Sequence, residues 1–131
     1  MSLSANYKET EMLSVELMTS IKDLLNDVDG EKRYKEPLSL HTSFRVGGNA
    51  DVLFFPKDEA SLVLAVRISN ENDVPIFILG NGSNLLVRDG GIQGMVISLK
   101  KMEGNIEINP GTHETFLVVS PAGTSMPALV R

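Results

Sequence analysis

Two short apolar runs, Ala50-Asp51-Val52-Leu53-Phe54-Phe55 and Ile76-Phe77-Ile78-Leu79, flank a segment of helical periodicity, and this spacing constrains the chain more than any other feature. Pro56 stops the first run because proline cannot donate to a β-ladder. Asp58 stands where a carboxylate caps a helix, and Leu62, Val63, Val66 and Ile68 supply an apolar face before Asn70-Glu71-Asn72-Asp73 ends it. Pro75 introduces the second run, whose continuous apolar character predicts a strand buried on both faces of a parallel sheet. Strand, helix and strand in that order make one crossover unit.

Upstream, Leu13, Leu17, Ile21, Leu24, Leu25 and Val28 recur at spacings of three and four, which predicts an amphipathic helix beginning at Thr10 or a neighbour and ending at Asp29-Gly30. It is expected to pack outside the core domain. The polar stretch from Glu31 to Glu36 reads as a linker, and Leu38 to Phe44 as an extended segment. Downstream, Leu85-Leu86-Val87 and Met95-Val96-Ile97-Ser98-Leu99 read as strands around the turn Arg88-Asp89-Gly90-Gly91. Helical periodicity disappears near Lys101. Ile106-Glu107-Ile108 and Thr115-Phe116-Leu117-Val118-Val119 then flank the turn Asn109-Pro110-Gly111, a hairpin pattern. The stretch beginning at Met126 reads as the first turn of a helix, and an end as apolar as Pro127-Ala128-Leu129-Val130 gives the expectation that the chain is a fragment.

Composition narrows the function. Twelve basic against 17 acidic residues give a net charge of −5, spread without a like-charge block, so the charge pattern offers nothing to nucleic acid or an anionic membrane. A small-molecule ligand is the better expectation. The absence of cysteine removes disulfides, thiolate metal sites and cysteine nucleophiles, and fits a reducing compartment such as the cytoplasm. No apolar run approaches the roughly 20 residues that span a bilayer, and the polar first ten residues lack the apolar core of a signal peptide.

The loop Leu79-Gly80-Asn81-Gly82-Ser83-Asn84-Leu85 follows a predicted strand directly, which places it at the carboxyl edge of the sheet, where open α/β folds bind ligands. Gly80 and Gly82 let backbone N–H groups converge on a pyrophosphate, and Ser83 and Asn84 add side-chain donors. An ordinary strand-ending turn uses the same residues. Leu85 replaces the third glycine of the dinucleotide fingerprint, and no Gly-Lys-Ser/Thr follows to make a P-loop. A second cluster, Thr42-Ser43-Phe44-Arg45-Val46-Gly47-Gly48-Asn49-Ala50, offers the forked guanidinium of Arg45 beside paired glycines. Alone it equally describes a solvated loop, but together the two clusters could face one extended dinucleotide.

These segments, with Gly90-Gly91-Ile92-Gln93-Gly94-Met95-Val96-Ile97, resemble successive motifs of the UDP-N-acetylenolpyruvoylglucosamine reductase (UDP-N-acetylmuramate dehydrogenase) family, in order and from about Leu38 to Arg131. The resemblance implies an α+β fold of the vanillyl-alcohol-oxidase (PCMH-like) FAD-binding type, in which a small parallel βα subdomain precedes a mostly antiparallel one. It divides the chain into an amino-terminal helix and linker (residues 1–36), a first FAD-binding subdomain (37–100) and the incomplete beginning of a second (101–131). By resemblance, residues 81–85 and Gly80 would hold the FAD pyrophosphate, Arg45, Gly47, Gly48 and Asn49 would line the cofactor, and Gly123, in Val119-Ser120-Pro121-Ala122-Gly123, would lie near the flavin. Pro121 departs from the family's Val-x-Ala-Gly pattern.

The family reaction passes hydride from NADPH through FAD to an enolpyruvyl sugar nucleotide, with a serine donating the proton and an arginine and a glutamate assisting. The resemblance puts those groups downstream of Arg131, so no catalytic residue and no metal ligand is expected here. His41, His113, Glu114 and Ser125 match no catalytic motif and read as structural or solvent-facing. Two other readings stay open: another FAD-dependent oxidoreductase of this fold, and a non-catalytic nucleotide-binding module.

Overall fold

A computed structural model describes residues 2–3, 13–80, 86–102 and 104–124. Strand β1 (Ser2–Leu3) is followed by helix α1 (Val15–Leu25), strand β2 (Gly30–Pro37), a 3₁₀ turn at Leu38–Leu40, strand β3 (Asn49–Pro56), helix α2 (Glu59–Glu71), strands β4 (Ile76–Leu79), β5 (Leu86–Val87) and β6 (Ile92–Ser98), a 3₁₀ turn at Leu99–Lys101, and strands β7 (Glu107–Pro110) and β8 (Phe116–Val119). Four strands form the main sheet in the order β2-β3-β6-β4. β3, β6 and β4 are parallel, and β2 runs antiparallel along β3 at one edge. The predicted crossover unit is therefore present, with β6 inserted between its two strands.

Alternation along β3 and β6 sends side chains to both faces of the sheet. On one face Val52, Phe54, Met95 and Ile97 pack with Met18, Ile21 and Leu25 of α1 and Ala65 of α2. On the other, Leu53, Phe55, Val96 and Leu79 pack with Leu38, Val87 and Ile92. Both faces being covered is why these central strands read as unbroken apolar runs.

Several expectations require correction. The amino-terminal helix does not lie outside the core: Ile21 and Leu25 are fully buried against the sheet, and the helix starts at Ser14, whose Oγ accepts the Leu17 N–H at 3.2 Å. Asp51 anchors this arrangement, its buried Oδ2 accepting the Leu13 N–H at 3.2 Å and the Gly94 N–H at 2.9 Å. The linker is instead β2, which polar residues can form because an edge strand contacts solvent along much of its length. The segment from Leu38, read as extended, begins with a 3₁₀ turn. Finally, β4 is not buried on both faces: it is the other edge strand, and Ile78 is 55% exposed.

Helix α2 begins at the expected cap, where Asp58 Oδ1 accepts the Ser61 N–H at 2.8 Å. Its buried face is made of Ser61, Ala65 and Ser69, small residues that let helix and sheet approach closely, while Leu62, Val66 and Ile68 flank the contact. Val63, assigned to this face from sequence, points outward with Leu64. Beyond Lys101 the antiparallel hairpin β7–β8 forms a separate two-stranded sheet, at the place where helical periodicity stops. The helical turn expected from Met126 lies outside the described residues.

Candidate cofactor site

The parallel strands end level with one another. Leu79 is paired with Ser98, and Ile78 and Phe54 with Ile97, so Phe55, Ser98 and Leu79 form one row at the carboxyl edge. Above this row opens a cleft of about 420 Å³, lined by Leu40, His41, Thr42, Ser43 and Arg45 from the segment after β2, and by Phe55, Leu79, Gly80, Ser98 and Lys100 from the strand ends. That volume falls in the range of small-molecule sites, roughly 300–1,000 Å³, and the position obeys the rule that open parallel sheets bind ligands beyond their carboxyl ends.

The lining has an anion-binding character. Arg45 and Lys100 contribute cations, and no Asp or Glu belongs to the described lining. Thr42 is buried, yet its Oγ1 has no hydrogen-bond partner among the described residues. An unsatisfied buried hydroxyl costs about 1–3 kcal/mol, so a polar atom supplied by a ligand would relieve it. At Gly80 no atom of the described residues lies within 4 Å of where a Cβ would stand. Two cations, a buried hydroxyl without a partner among the described residues and a glycine backbone at the strand end fit a phosphate-bearing cofactor such as FAD.

Electrostatic order behind the cleft comes from β2. Glu36 Oε1 accepts from His41 Nε2 at 2.8 Å and from Arg33 Nη1 at 2.9 Å. Arg33 Nε also donates to Glu31 Oε1 at 2.5 Å, and the second oxygen of Glu31 takes the Lys101 ammonium. The His41 bond, then Arg33, holds the Glu36 carboxyl below its ordinary value, and Lys101, then Arg33, does the same for Glu31. Phe55 sits amid this network, with Lys101 Nζ 4.7 Å, Arg33 5.6 Å and the His41 ring 5.9 Å from its ring centre.

The residues singled out from sequence divide by position. Arg45, in left-handed backbone with φ +52°, and Gly80 line the cleft. Gly47 and Gly48 face the chain itself: a Cβ would meet Val87 Cβ at 2.6 Å from Gly47 and the Asp89 carbonyl oxygen at 2.1 Å from Gly48. Close packing, together with the φ of +129° at Gly47, accounts for both glycines. Asn49 begins β3 opposite Pro37. Gly123 lies against the 3₁₀ turn that carries Lys100, where a Cβ would stand 2.5 Å from the Leu99 carbonyl oxygen. Asn81, Gly82, Ser83, Asn84 and Leu85 fall outside the described residues, as does Ser125. His113 and Glu114 are exposed at the hairpin turn. His41, by contrast, is half-buried and lines the cleft.

Thr42, Ser98 and Lys100 were not among the predicted cofactor residues. Ser98 and Lys100 were findable in principle, because Ser98 ends an apolar strand and Lys100 lies just beyond it, at the edge where the glycine loop also lies. The burial of Thr42 has no sequence signal. Among the described residues no group of three His, Asp or Glu is arranged to hold a metal ion, and no described helix is long and apolar enough to cross a membrane.

A parallel sheet with a cationic cleft at its carboxyl edge, followed by an antiparallel hairpin, defines an α+β domain of the PCMH-like FAD-binding type. A family model described as FAD binding domain matches residues 50–131, and the chain belongs to that family. It is also similar to proteins named UDP-N-acetylenolpyruvoylglucosamine reductase: 44% identical over 88 residues to that of Clostridioides difficile (strain 630), covering 66% of this chain and 29% of the relative. Identity is 40% over 119 residues with that of Streptococcus thermophilus (strain CNRZ 1066), covering 91% and 36%, and 38% over 130 residues with that of Syntrophobacter fumaroxidans, covering 98% and 37%. The chain thus spans about a third of the length of the curated relatives it matches.

Proposed function

We propose that this chain contributes part of the FAD site of a cytoplasmic, NADPH-dependent flavoenzyme that reduces UDP-N-acetylglucosamine enolpyruvate to UDP-N-acetylmuramate, a step of peptidoglycan precursor synthesis. The observation that carries the reading is the cleft at the carboxyl edge, lined by Arg45, Lys100 and Thr42, whose hydroxyl has no partner among the described residues, above strand ends that lie within the match to the FAD binding domain. Similarity to the named reductases supports the choice of substrate.

In this reading Arg45 and Gly80 hold the cofactor's phosphates together with residues 81–85. Gly47, Gly48 and Asn49 shape the wall that presents Arg45, and Gly123 sets the turn that presents Lys100. Bound FAD would supply hydride transfer between NADPH and the enolpyruvyl double bond. The chain's own groups bind and orient, while the serine, arginine and glutamate of the reaction belong outside residues 1–131. The chain alone is therefore inactive. A subdomain boundary falls near residue 100, and both α1 and β2 belong to the first subdomain, α1 through the core it shares with β3 and β6 and β2 as an edge strand of the sheet.

The test is purification of the full-length protein, followed by its visible spectrum and NADPH oxidation with the enolpyruvyl sugar nucleotide. A yellow protein that turns over this substrate is expected. A colourless protein that never takes up FAD would overturn the cofactor reading, and a yellow one without turnover would favour another oxidoreductase of the same fold.

A further inference from the structure

Among the described residues, three side-chain hydroxyls line the cleft, those of Thr42, Ser43 and Ser98. Ser43 is exposed and can bond to water. Ser98 is buried, but its Oγ accepts the Lys100 N–H at 3.4 Å and so helps to hold the turn after β6. Thr42 is different: it is only 6% exposed, and its hydroxyl has no partner among the described residues. Its backbone is fixed without that hydroxyl, since the His41 N–H donates to the Leu38 carbonyl at 2.9 Å and the Arg45 N–H to the Thr42 carbonyl at 3.2 Å. A valine of nearly the same volume would fill the position and leave no polar atom unsatisfied, so nothing in the described fold accounts for the hydroxyl.

The turn from Thr42 to Arg45 puts that hydroxyl and a guanidinium in the lining of one cleft. Among the described residues Arg33 and Lys101 are engaged by Glu31 and Glu36, whereas Arg45 and Lys100 stand in no ion pair. The cleft therefore offers a hydroxyl proton beside uncompensated positive charge, and an anionic oxygen, which accepts hydrogen bonds and carries charge, answers both.

We propose that Thr42 is a cofactor-binding residue whose Oγ1–H donates to a phosphate oxygen of bound FAD. The inference rests on the FAD reading given above and adds to it a neutral, directional contact. Cations attract phosphate from several ångströms away and in any orientation, whereas a hydroxyl acts only at hydrogen-bond length. Thr42 thus fixes where the phosphate comes to rest among the charges that draw it in.

The experiment compares Thr42→Val and Thr42→Ser with wild type in the full-length protein, stripped of flavin and titrated with FAD by fluorescence quenching. T42V should bind FAD about tenfold more weakly, the loss expected when one hydrogen bond to a charged group is removed. T42S, which keeps the hydroxyl, should recover most of that loss. The flavin-free T42V protein should unfold at or above the wild-type temperature, because the hydroxyl it lacks is unpartnered until the cofactor arrives. In the phosphorus NMR spectrum of the bound cofactor, T42V should shift a pyrophosphate resonance. T42V that binds FAD as tightly as wild type, or T42S as weak as T42V, overturns the proposal. So does a lower unfolding temperature for flavin-free T42V, which would give the hydroxyl a partner within the protein, and so do unmoved phosphorus resonances. Each of these results leaves FAD binding by the wild type intact, whereas a wild-type protein that takes up no FAD overturns the functional reading and this inference together.

Discussion

Gly48 lies so close to Asp89 that a Cβ on it would stand 2.1 Å from the Asp89 carbonyl oxygen. The neighbouring backbone is fixed there, since the Gly48 N–H donates to the Arg88 carbonyl at 2.9 Å and its own carbonyl accepts the Leu38 N–H at 3.0 Å. Gly48→Ala should therefore destabilise the chain by about 3 kcal/mol, toward the upper end for overpacking, as read by urea denaturation. Gly80→Ala is the contrast. With nothing within 4 Å among the described residues, the fold should tolerate it within about 1 kcal/mol, while FAD affinity falls because the methyl enters the cleft.

Asp51, only 1% exposed, ties its strand to Leu13, 38 residues before it, and to Gly94, 43 residues after it. Asp51→Ala would leave the Gly94 and Leu13 N–H groups buried without their acceptor, a loss of about 3 kcal/mol. Hydrogen exchange should show α1 loosening first, because the Leu13 bond ties the residue just before that helix to the sheet. Unchanged protection in α1 would contradict the anchoring role.

Acid should destabilise the protein through identifiable carboxylates. Glu31, Glu36 and Asp58 all have folded values held below their ordinary ones of 4.5, 4.5 and 3.8, by Lys101, by His41 and by the Ser61 hydroxyl as the leading partners. A lowered folded value means that the stabilisation is present above the ordinary value and lost as pH falls through the folded one. Thermal midpoints should thus hold steady down to about pH 5 and drop below it. The double variant E31Q/E36Q should have a flatter acid limb than wild type.

The cations of the cleft predict a salt effect. Arg45→Gln and Lys100→Gln should each weaken FAD binding and reduce its dependence on ionic strength, because each removes one screened attraction to phosphate. Equal affinity at 50 mM and 500 mM salt in wild type would argue against a phosphate in this cleft.

On the hairpin, Ile108 and Phe116 are 67% and 71% exposed. Ile108→Thr and Phe116→Thr should leave the unfolding free energy of the chain within about 0.5 kcal/mol of wild type. A larger loss would mean that the hairpin packs on the main sheet.

Much of the fold was legible because its elements are local. The Asp58 cap, the strands around Val52 and Ile97, and the change to antiparallel pairing after Lys101 follow from side-chain periodicity and backbone chemistry within a few residues of each other. Neighbours in space decided what was misread. β2 is polar in sequence and becomes a strand because β3 offers it an unpaired edge, while the apolar β4 is half-exposed because among the described residues it has a partner on one side alone.

The site divides in the same way. Sequence by itself determined where ligand-facing loops follow strands and which residues carry charge, and it placed Arg45 and Gly80 among the candidates. Tertiary structure decided that Gly47 and Gly48 pack against residues 87–91, that Thr42 is buried without a partner among the described residues, and that Glu36 reaches His41 beside the cleft. Burial and pairing depend on which distant segments arrive at the same place, and no local pattern encodes that meeting.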